Sequence, residues 1–130
     1  MTPQIQTIFS DPSEGIYGNC LSACVASLCD MPISMTPYFR GMNNPENGVA
    51  KFIDQFGLKF HGFMYNPTQE WLRNFEGVNG FAIIGGPSPR YADQAHAVIY
   101  RYGKPFFDPH PESNFTKNGK INRVYIITKK

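Results

Sequence analysis

The sequence lacks long hydrophobic runs and any strong excess of one charge. No apolar stretch approaches the roughly 20 residues that a membrane-spanning helix needs, and the first 15 residues lack the basic start and apolar core of a signal peptide. The 12 Lys and Arg residues nearly balance the 10 Asp and Glu residues, which leaves a net charge of +2. No basic run exceeds the pair Lys129-Lys130, so we expect neither a nucleic-acid partner nor a membrane partner.

Cysteine is scarce as well. With three cysteines in 130 residues, at least one thiol has no partner within the chain. Free thiols are typical of a reducing cytoplasm rather than of a disulfide-rich secreted scaffold. A chain of this length suits one domain, 1–130, with enough buried surface for a core. We therefore expect a single cytoplasmic domain.

Turn-forming and aromatic residues, in contrast, are abundant. The chain contains 12 Gly, 11 Pro, 11 Phe and 7 Tyr, and this composition favours short elements joined by defined turns. Apolar spacing predicts helices at 19–30 and 44–56 and a short helix at Pro67–Phe75. Apolar runs predict strands near 58–63, 80–84, 96–102, 105–107 and 123–128. The order predicts an α+β fold in which the N-terminal helix packs on a C-terminal antiparallel sheet.

Two local features set the limits of these elements. Asn19 belongs to a residue type that caps helices, because its side-chain oxygen can accept an N–H of the first turn. Gly103-Lys104, between two strand-like runs, predicts a hairpin turn. A regular hairpin centred there puts Asp108 opposite Ile99, and either a bulge or a flared end at Pro105 would bring it nearer to His96.

Cys20 stands at the first position of the first predicted helix, in the stretch YGNCLSACV. The partial positive charge and unpaired N–H groups of a helix N-terminus stabilise a thiolate, the nucleophilic form of cysteine. The same N–H groups, that of Cys20 included, can bind an oxyanion. Since cysteine is also a small core residue, Cys20 becomes a candidate nucleophile only together with a base.

His96 and Asp108 are the candidate partners. His96 opens an apolar strand between two alanines, where packing does not call for an imidazole, and Asp108 ends the next strand. Taken singly, a hydrogen-bonded histidine and a turn-forming aspartate would be ordinary. Together with Cys20 they predict a catalytic triad, in which His96 is the general base and acid and Asp108 orients the imidazole.

An oxyanion needs a further donor, and a side-chain amide before Cys20 would suit. Gln6 is the candidate, with an exposed polar residue in the N-terminal segment as the alternative interpretation. Asn19 is a second candidate donor, although we expect it mainly to cap the helix.

A metal site has less support. Cys20, Cys24, His96 and His110 could meet, but no C-x-x-C spacing favours zinc. We interpret His110, between two prolines, as a loop histidine, with contact to a substrate as the alternative. We expect neither a metal nor an organic cofactor.

Short motifs follow one another in a fixed order along most of the chain. They are Gly18-Asn19-Cys20 with Ala23 and Ala26-Ser27-Leu28, then His96-Ala97-Val98, then Asp108-Pro109. In this order they resemble the papain-like cysteine peptidase superfamily, and within it small bacterial and phage domains related to the bacteriocin-processing peptidases. The chain also resembles phage and bacterial proteins with a G-[ND]-C opening, a P-x-F segment and a G-x-x-x-x-D-P-H-P ending, here Pro37–Phe39 and Gly103–Pro111.

The resemblance implies a papain-like fold in the cytoplasm of a bacterium or a phage-infected host cell. It implies Cys20 as nucleophile, His96 as general base and acid, and Asp108 as orienting residue. In many members the oxyanion glutamine lies six residues before the cysteine, where this chain has Glu14. Since an ionised glutamate would repel an oxyanion, either Gln6 takes the role through a longer loop or the oxyanion hole is incomplete.

We therefore expect a thiol hydrolase or acyl transferase, peptidase- or amidase-like, acting through a thioester intermediate. Its partner would be a peptide or another amide-containing substrate, a host protein being one candidate. The alternative is a non-catalytic, phage-type binding module on a papain-like fold. Glu14 and the small size favour that alternative, while the joint presence of Cys20, His96 and Asp108 argues against it.

Overall fold

A computed structural model of the chain describes residues 1–63 and 77–130. Two α-helices are described, α1 (Cys20–Leu28) and α2 (Pro45–Asp54). The strands are β1 (Leu58–Phe63), β2 (Phe81–Pro87), β3 (Ala95–Arg101), β4 (Lys104–Phe107) and β5 (Arg123–Lys129). The α+β class and the antiparallel sheet are confirmed, whereas the predicted helix at Pro67–Phe75 lies outside the described residues.

Helix α1 is buried on every side rather than along one stripe. Its residues from Ser22 to Ser27 are all buried, which is the pattern that its run of small apolar side chains predicts. The helix packs on β3 and β2 of the sheet. Because it begins at Cys20, the thiol lies at the helix end where the sheet and the N-terminal segment meet.

The predicted capping role of Asn19 is wrong. Asn19 occupies the position before α1, but its side chain makes no hydrogen bond to the first turn. Its Oδ1 instead accepts the backbone N–H groups of Thr7 (3.0 Å) and Ile8 (2.9 Å), and its Nδ2 donates to Thr7 Oγ1 at 2.9 Å. The segment at Thr7 and Ile8 runs past the start of the helix, and its backbone N–H groups need acceptors. They take the side-chain oxygen of Asn19 that would otherwise cap the helix.

Helix α2 follows the sequence rules closely. Pro45 occupies its first turn, and the side chain of Asn44 accepts the N–H of Asn47 at 3.1 Å. Its buried residues Val49 and Ile53 are four apart and face β1. The helix thereby covers the β1 edge of the sheet.

The five strands form one antiparallel sheet in the order β1-β5-β2-β3-β4. Both faces of its centre are buried, with alternate residues on each side. The face towards the helices carries Phe81, Ile83, Ala97, Ile99, Tyr125 and Ile127. The opposite face carries Ala82, Ile84, Val98, Tyr100, Val124 and Ile126. By this alternation His96 belongs to the face opposite the helices.

The β3–β4 hairpin turns one residue earlier than predicted. Arg101 pairs with Lys104, and the two loop residues are Tyr102 and Gly103, with φ of 50° and 80°. Positive φ at both positions matches the twist of a two-residue hairpin. The predicted turn at Gly103-Lys104 was wrong because Tyr102 adopts the left-handed backbone conformation, which is found mostly in Gly, Asn and Asp.

A bulge then interrupts the pairing. Tyr100 lies opposite Pro105, but Ile99 lies opposite Phe107, so Phe106 is an extra residue in β4. Continued by one position, this register sets Asp108 opposite Val98, two residues from His96. The bulge is present, but it moves Asp108 from opposite Ala97 to opposite Val98, so it brings Asp108 onto the face that carries His96 rather than nearer to His96 along the strand.

Gly86 provides the space above this face. It lies directly opposite His96 in the β2–β3 register. A Cβ at position 86 would collide with the carbonyl oxygen of Lys120 and lie 2.8 Å from Cγ2 of Thr116. Since a backbone oxygen cannot move aside cheaply, only glycine lets the segment at 116–120 pack here.

We expect Gly86→Ala to lower the free energy of unfolding by about 1–3 kcal/mol, the usual cost of overpacking. Urea denaturation measures it. Gly85→Ala is the matched control on the same strand, because its Cβ would lie 3.4 Å from Cβ of Arg123, an ordinary contact. Equal destabilisation by the two variants would contradict the proposed clash.

Candidate active site

Cys20, His96 and Gln6 line a cleft of about 730 Å³ between α1, the N-terminal segment and the β2–β3 end of the sheet. Asp108 lies behind His96 and is not part of the cleft wall. All four residues singled out from the sequence therefore lie in or beside one cavity.

The Cys20 thiol lies at the start of α1 and faces the start of β3. The backbone N–H of Ala97 donates to Cys20 Sγ at 3.3 Å, and an N–H directed at sulfur favours its anionic form. Cys20 and His96 line the same cleft, and a hydrogen bond to Cys20 is among the causes that raise the pKa of His96. Helix and strand thus bring nucleophile and candidate base together from positions 76 residues apart in the sequence.

His96 is held from behind by Asp108. The ring Nε2 lies 2.7 Å from Asp108 Oδ1, and the two side chains are buried, with His96 only 4% exposed. With Nε2 engaged by the carboxylate, Nδ1 is the ring nitrogen left to exchange a proton with the thiol. This is the division of labour that a nucleophile, base and orienting acid require.

Asp108 is fixed in turn by the backbone that follows it. Its Oδ1 also accepts the N–H of His110 at 2.9 Å, and its Oδ2 accepts the N–H of Phe115 at 2.8 Å. Three donors therefore hold a carboxylate that is 2% exposed. Asp108 organises the loop after β4 as well as the imidazole.

The charges within this group support one another. Burial alone would lower the pKa of His96, but its hydrogen bonds to Asp108 and Cys20, and their negative charges, raise it from 6.5 to about 9. Burial would raise the pKa of Asp108, yet its hydrogen bonds from His96 and from backbone N–H groups hold that pKa below its usual value. At neutral pH the site therefore favours an imidazolium paired with the Asp108 carboxylate.

The other two cysteines are in unreactive surroundings. Burial, followed by the charge of Cys20, raises the pKa of Cys24 well above its usual value. Burial and the charge of Asp30 raise the pKa of Cys29 to about 11. Both thiols stay protonated at neutral pH, which suits packing rather than chemistry.

Gln6 is buried at the cleft wall, so its interpretation as an exposed residue is wrong. It is 5% exposed, its backbone N–H donates to the carbonyl of Pro109 at 3.0 Å, and its Nε2 donates to the carbonyl of Ile8 at 3.0 Å. Its Oε1 is buried without a hydrogen-bond partner. Glu14, in contrast, is exposed and does not line the cleft. Of these two residues, only Gln6 lines the cleft with Cys20.

Asn19 is unsuited to the donor role considered for it. Unlike Gln6, it does not line the cleft, and its side chain is held by Thr7 and Ile8. Asn19 therefore positions the segment that carries Gln6 rather than facing the cleft.

His110 lies in the loop after β4, as interpreted from the sequence, and this loop runs beside the candidate triad. Its ring is 6.4 Å from that of His96, centroid to centroid, and it lines the cleft. Arg90, in the β2–β3 loop, lines the same cleft and was not singled out from the sequence. No sequence spacing links Arg90 to Cys20 or Asp108. The only indication that Arg90 reaches the cleft is that its loop leads directly into β3, the strand that begins beside His96.

The structure offers no support for a metal centre or a membrane span in the part of the chain that it describes. Within 1–63 and 77–130, no three His, Cys, Asp or Glu side chains are arranged to hold a metal ion. No helix in these ranges is long and apolar enough to cross a bilayer.

Comparison with family models, with curated proteins and with solved structures finds no match to this chain. The chemistry of the cleft therefore has to be argued from its own residues.

Proposed function

We propose that this chain is a papain-like thiol hydrolase or acyl transferase. The observation that carries the proposal is that Cys20 and His96 line one cleft, while Asp108, behind the cleft wall, lies 2.7 Å from the His96 ring. The three groups come from a helix start, a strand start and a hairpin end. A binding module has no need of a charged thiol–imidazole–carboxylate row with two of its members buried.

The reaction would begin with attack of the Cys20 thiolate on the carbonyl carbon of an amide or ester. A C–S bond forms and the carbonyl oxygen becomes an oxyanion. The N–H of Cys20 belongs to the first helical turn, whose donors have no partner within the helix, and would accept this charge. The Nε2 of Gln6 carries a second hydrogen beyond the one given to Ile8 and would be the other donor.

Collapse of this intermediate breaks the bond to the leaving group. The imidazolium of His96 would give its proton to the departing amine, and a thioester of Cys20 remains. His96, now neutral, would take a proton from water or from another acceptor that attacks the thioester. The acyl product leaves, and the thiolate–imidazolium pair is restored. Asp108 stays ionised throughout and stabilises the positive charge on the ring.

The first test is the reactivity of the three thiols. At neutral pH we expect iodoacetamide to alkylate Cys20 at least about 100-fold faster than Cys29, because a thiol of pKa about 11 is thiolate in only about one molecule in 10⁴. Cys24 is both protonated and fully buried. Timed alkylation of the folded protein with peptide mapping measures each rate.

The Cys20→Ala variant is the companion measurement. It should fold with an unchanged circular dichroism spectrum, lose the fast alkylation, and lose the release of nitrophenolate from p-nitrophenyl acetate. Slow and equal alkylation of all three cysteines in the native protein would remove the nucleophile and favour the non-catalytic binding module.

A further inference from the structure

The cleft beside the thiol is lined by more positive than negative charge. Among the described residues, its wall includes Arg40, Arg90 and Arg123 but only one carboxylate, Glu46. Arg123 donates to Glu46 Oε1 at 3.2 Å, so this pair is internally neutral. The cleft as a whole therefore favours an anionic group.

The arginines differ in what already engages them. Arg40 lies 4.5 Å above the ring of Tyr17 in a cation–π contact. Arg90, in contrast, has an Nη1 that is buried without a hydrogen-bond partner. The same Nη1 lies 3.6 Å from Oε2 of Glu112, so the two groups form an ion pair without a hydrogen bond, and the Glu112 side chain is 56% exposed. A buried guanidinium donor without an acceptor is costly, and an anion in the cleft would supply the acceptor.

The loop that carries Arg90 is rigid. The hydroxyl oxygen of Ser88 accepts the N–H groups of Arg90 at 3.1 Å and Tyr91 at 3.2 Å. The backbone N–H of Ser88 donates to the carbonyl of Gln94 at 2.8 Å, which closes the loop directly before β3. The backbone of Arg90 is therefore held directly before the strand that carries His96.

His110 adds a neutral donor on the same side of the cleft. Its Nδ1 accepts the N–H of Glu112 at 3.1 Å, so the ring proton is on Nε2. Burial and the charge of Arg90 lower the pKa of His110, which keeps this tautomer at neutral pH. The ring is held edge-on against Phe9, with centroids 5.2 Å apart. Arg90 and His110 thus both carry N–H donors and line the same cleft as His96.

We propose that Arg90 and His110 form a carboxylate-binding subsite, and that the substrate carries an acidic group beside the bond that Cys20 attacks. This inference rests on the proposed function, since it names the substrate class of the same site. The carboxylate can come from an Asp or Glu side chain or from a free chain terminus. Arg90 would bind it through two parallel hydrogen bonds.

The test compares thiol reagents that differ only in charge. One pair is N-iodoacetyl-glutamate α-amide against N-iodoacetyl-glutamine α-amide, which reports a side-chain carboxylate. A second is N-iodoacetyl-glycine against N-iodoacetyl-glycinamide, which reports a terminal carboxylate. A third, acetyl-glutamyl against acetyl-glutaminyl chloromethyl ketone, places the acid on the other side of the reactive carbon. Each rate at Cys20 is divided by that for a small free thiol.

We expect at least one acidic reagent to react about tenfold or more faster than its neutral partner, the usual effect of one charge-assisted hydrogen bond. Arg90→Gln should remove most of this ratio, and Arg90→Lys, which keeps the charge but not the planar fork, should leave an intermediate one. Arg40→Gln is the matched control, because it removes the same charge from the same cleft and should preserve the ratio. The imidazolium of His96 attracts the acidic reagents in the wild type and in every variant, so its effect cancels when the rate ratios of these proteins are compared.

An equal ratio in the wild type and Arg90→Gln would overturn the subsite while leaving the reactive thiol in place.

Failure of the proposed function itself can be told apart from failure of the subsite. If Cys20 shows no selective reactivity, titration of Cys20→Ala with acetyl-glutamate N-methylamide, followed through the NMR signals of the His110 ring, still reads out carboxylate binding. Shifts that Arg90→Gln abolishes would support the subsite, and no shifts in Cys20→Ala would refute it.

Discussion

Replacing His96 by Ala should slow the acylation of Cys20 by p-nitrophenyl acetate by about 10²–10⁴-fold, the range for loss of a positioned acid–base group. The variant removes a cation from the cleft wall that Cys20 also lines, since the pKa of the wild-type imidazole is raised to about 9. Nitrophenolate leaves without needing a proton, so this substrate isolates the activation of the nucleophile. Stopped-flow absorbance of the released nitrophenolate measures the rate.

His61→Ala is the matched control for a histidine in the sheet. His61 lies on β1, where its Nε2 is 3.0 Å from Thr128 Oγ1, and it does not line the cleft. Its loss should leave the rate within about twofold of the wild type, as expected for a site without shared partners. If the two variants acylate equally fast, His96 has no role in activating the thiol.

The second large effect is expected on stability. Asp108→Ala should lower the free energy of unfolding by about 3–5 kcal/mol, the usual cost of removing one partner of a buried ion pair. The variant leaves the imidazolium of His96 buried without its carboxylate, and it also leaves the N–H groups of His110 and Phe115 without their acceptor. Urea denaturation at pH 6 measures the loss.

The effect should depend on pH in a defined direction. His96 has a folded-state pKa of about 9 against a usual 6.5, so its contribution is complete below pH 6.5 and is lost as the pH rises through 9. The pKa of Asp108 is lowered from 3.8, so its contribution is complete above that pH and is lost as the pH falls through the folded-state pKa. The destabilisation by Asp108→Ala should therefore be largest between pH 3.8 and 6.5 and smaller at about pH 10.

Asp54→Ala provides the comparison with an exposed acid. Asp54 pairs with Lys130 at the surface, where both side chains are at least half exposed, and its loss should cost less than about 1 kcal/mol at any of these pH values. A pH-independent loss for Asp108→Ala would mean that it holds the loop without stabilising charge on His96. NMR titration of His96 in the same variant should show a lower pKa.

The sequence predicts most of what forms locally. Small apolar residues predicted a buried α1 beginning at Cys20, and Pro45 with Asn44 predicted the start of α2. The row of Cys20, His96 and Asp108 could be proposed because each ends or begins an element, and the ends of adjacent elements meet. The bulge that aligns them was foreseen only as an option.

What could not be predicted depends on contacts across long sequence separations. Asn19 has the sequence features of a helix cap, but Thr7 and Ile8 compete for its side chain, and that segment has no pattern that fixes its path. The burial of Gln6 depends on the carbonyl of Pro109, over 100 residues later. Arg90 is an ordinary loop residue until β3 carries its loop to the cleft.

The extra residue in β4, Phe106, determines on which face of the sheet the Asp108 carboxylate lies. Without the bulge, the pairing of Arg101 with Lys104 would set Asp108 opposite Ala97, and its carboxylate would point towards α1. Deleting Phe106 would remove the bulge and shorten the strand by one residue at once. Asp108 would then stay opposite Val98, with its carboxylate on the side of His96. A one-residue insertion before Asp108 would turn the acid away. The hairpin should therefore tolerate shortening by one residue better than lengthening by one.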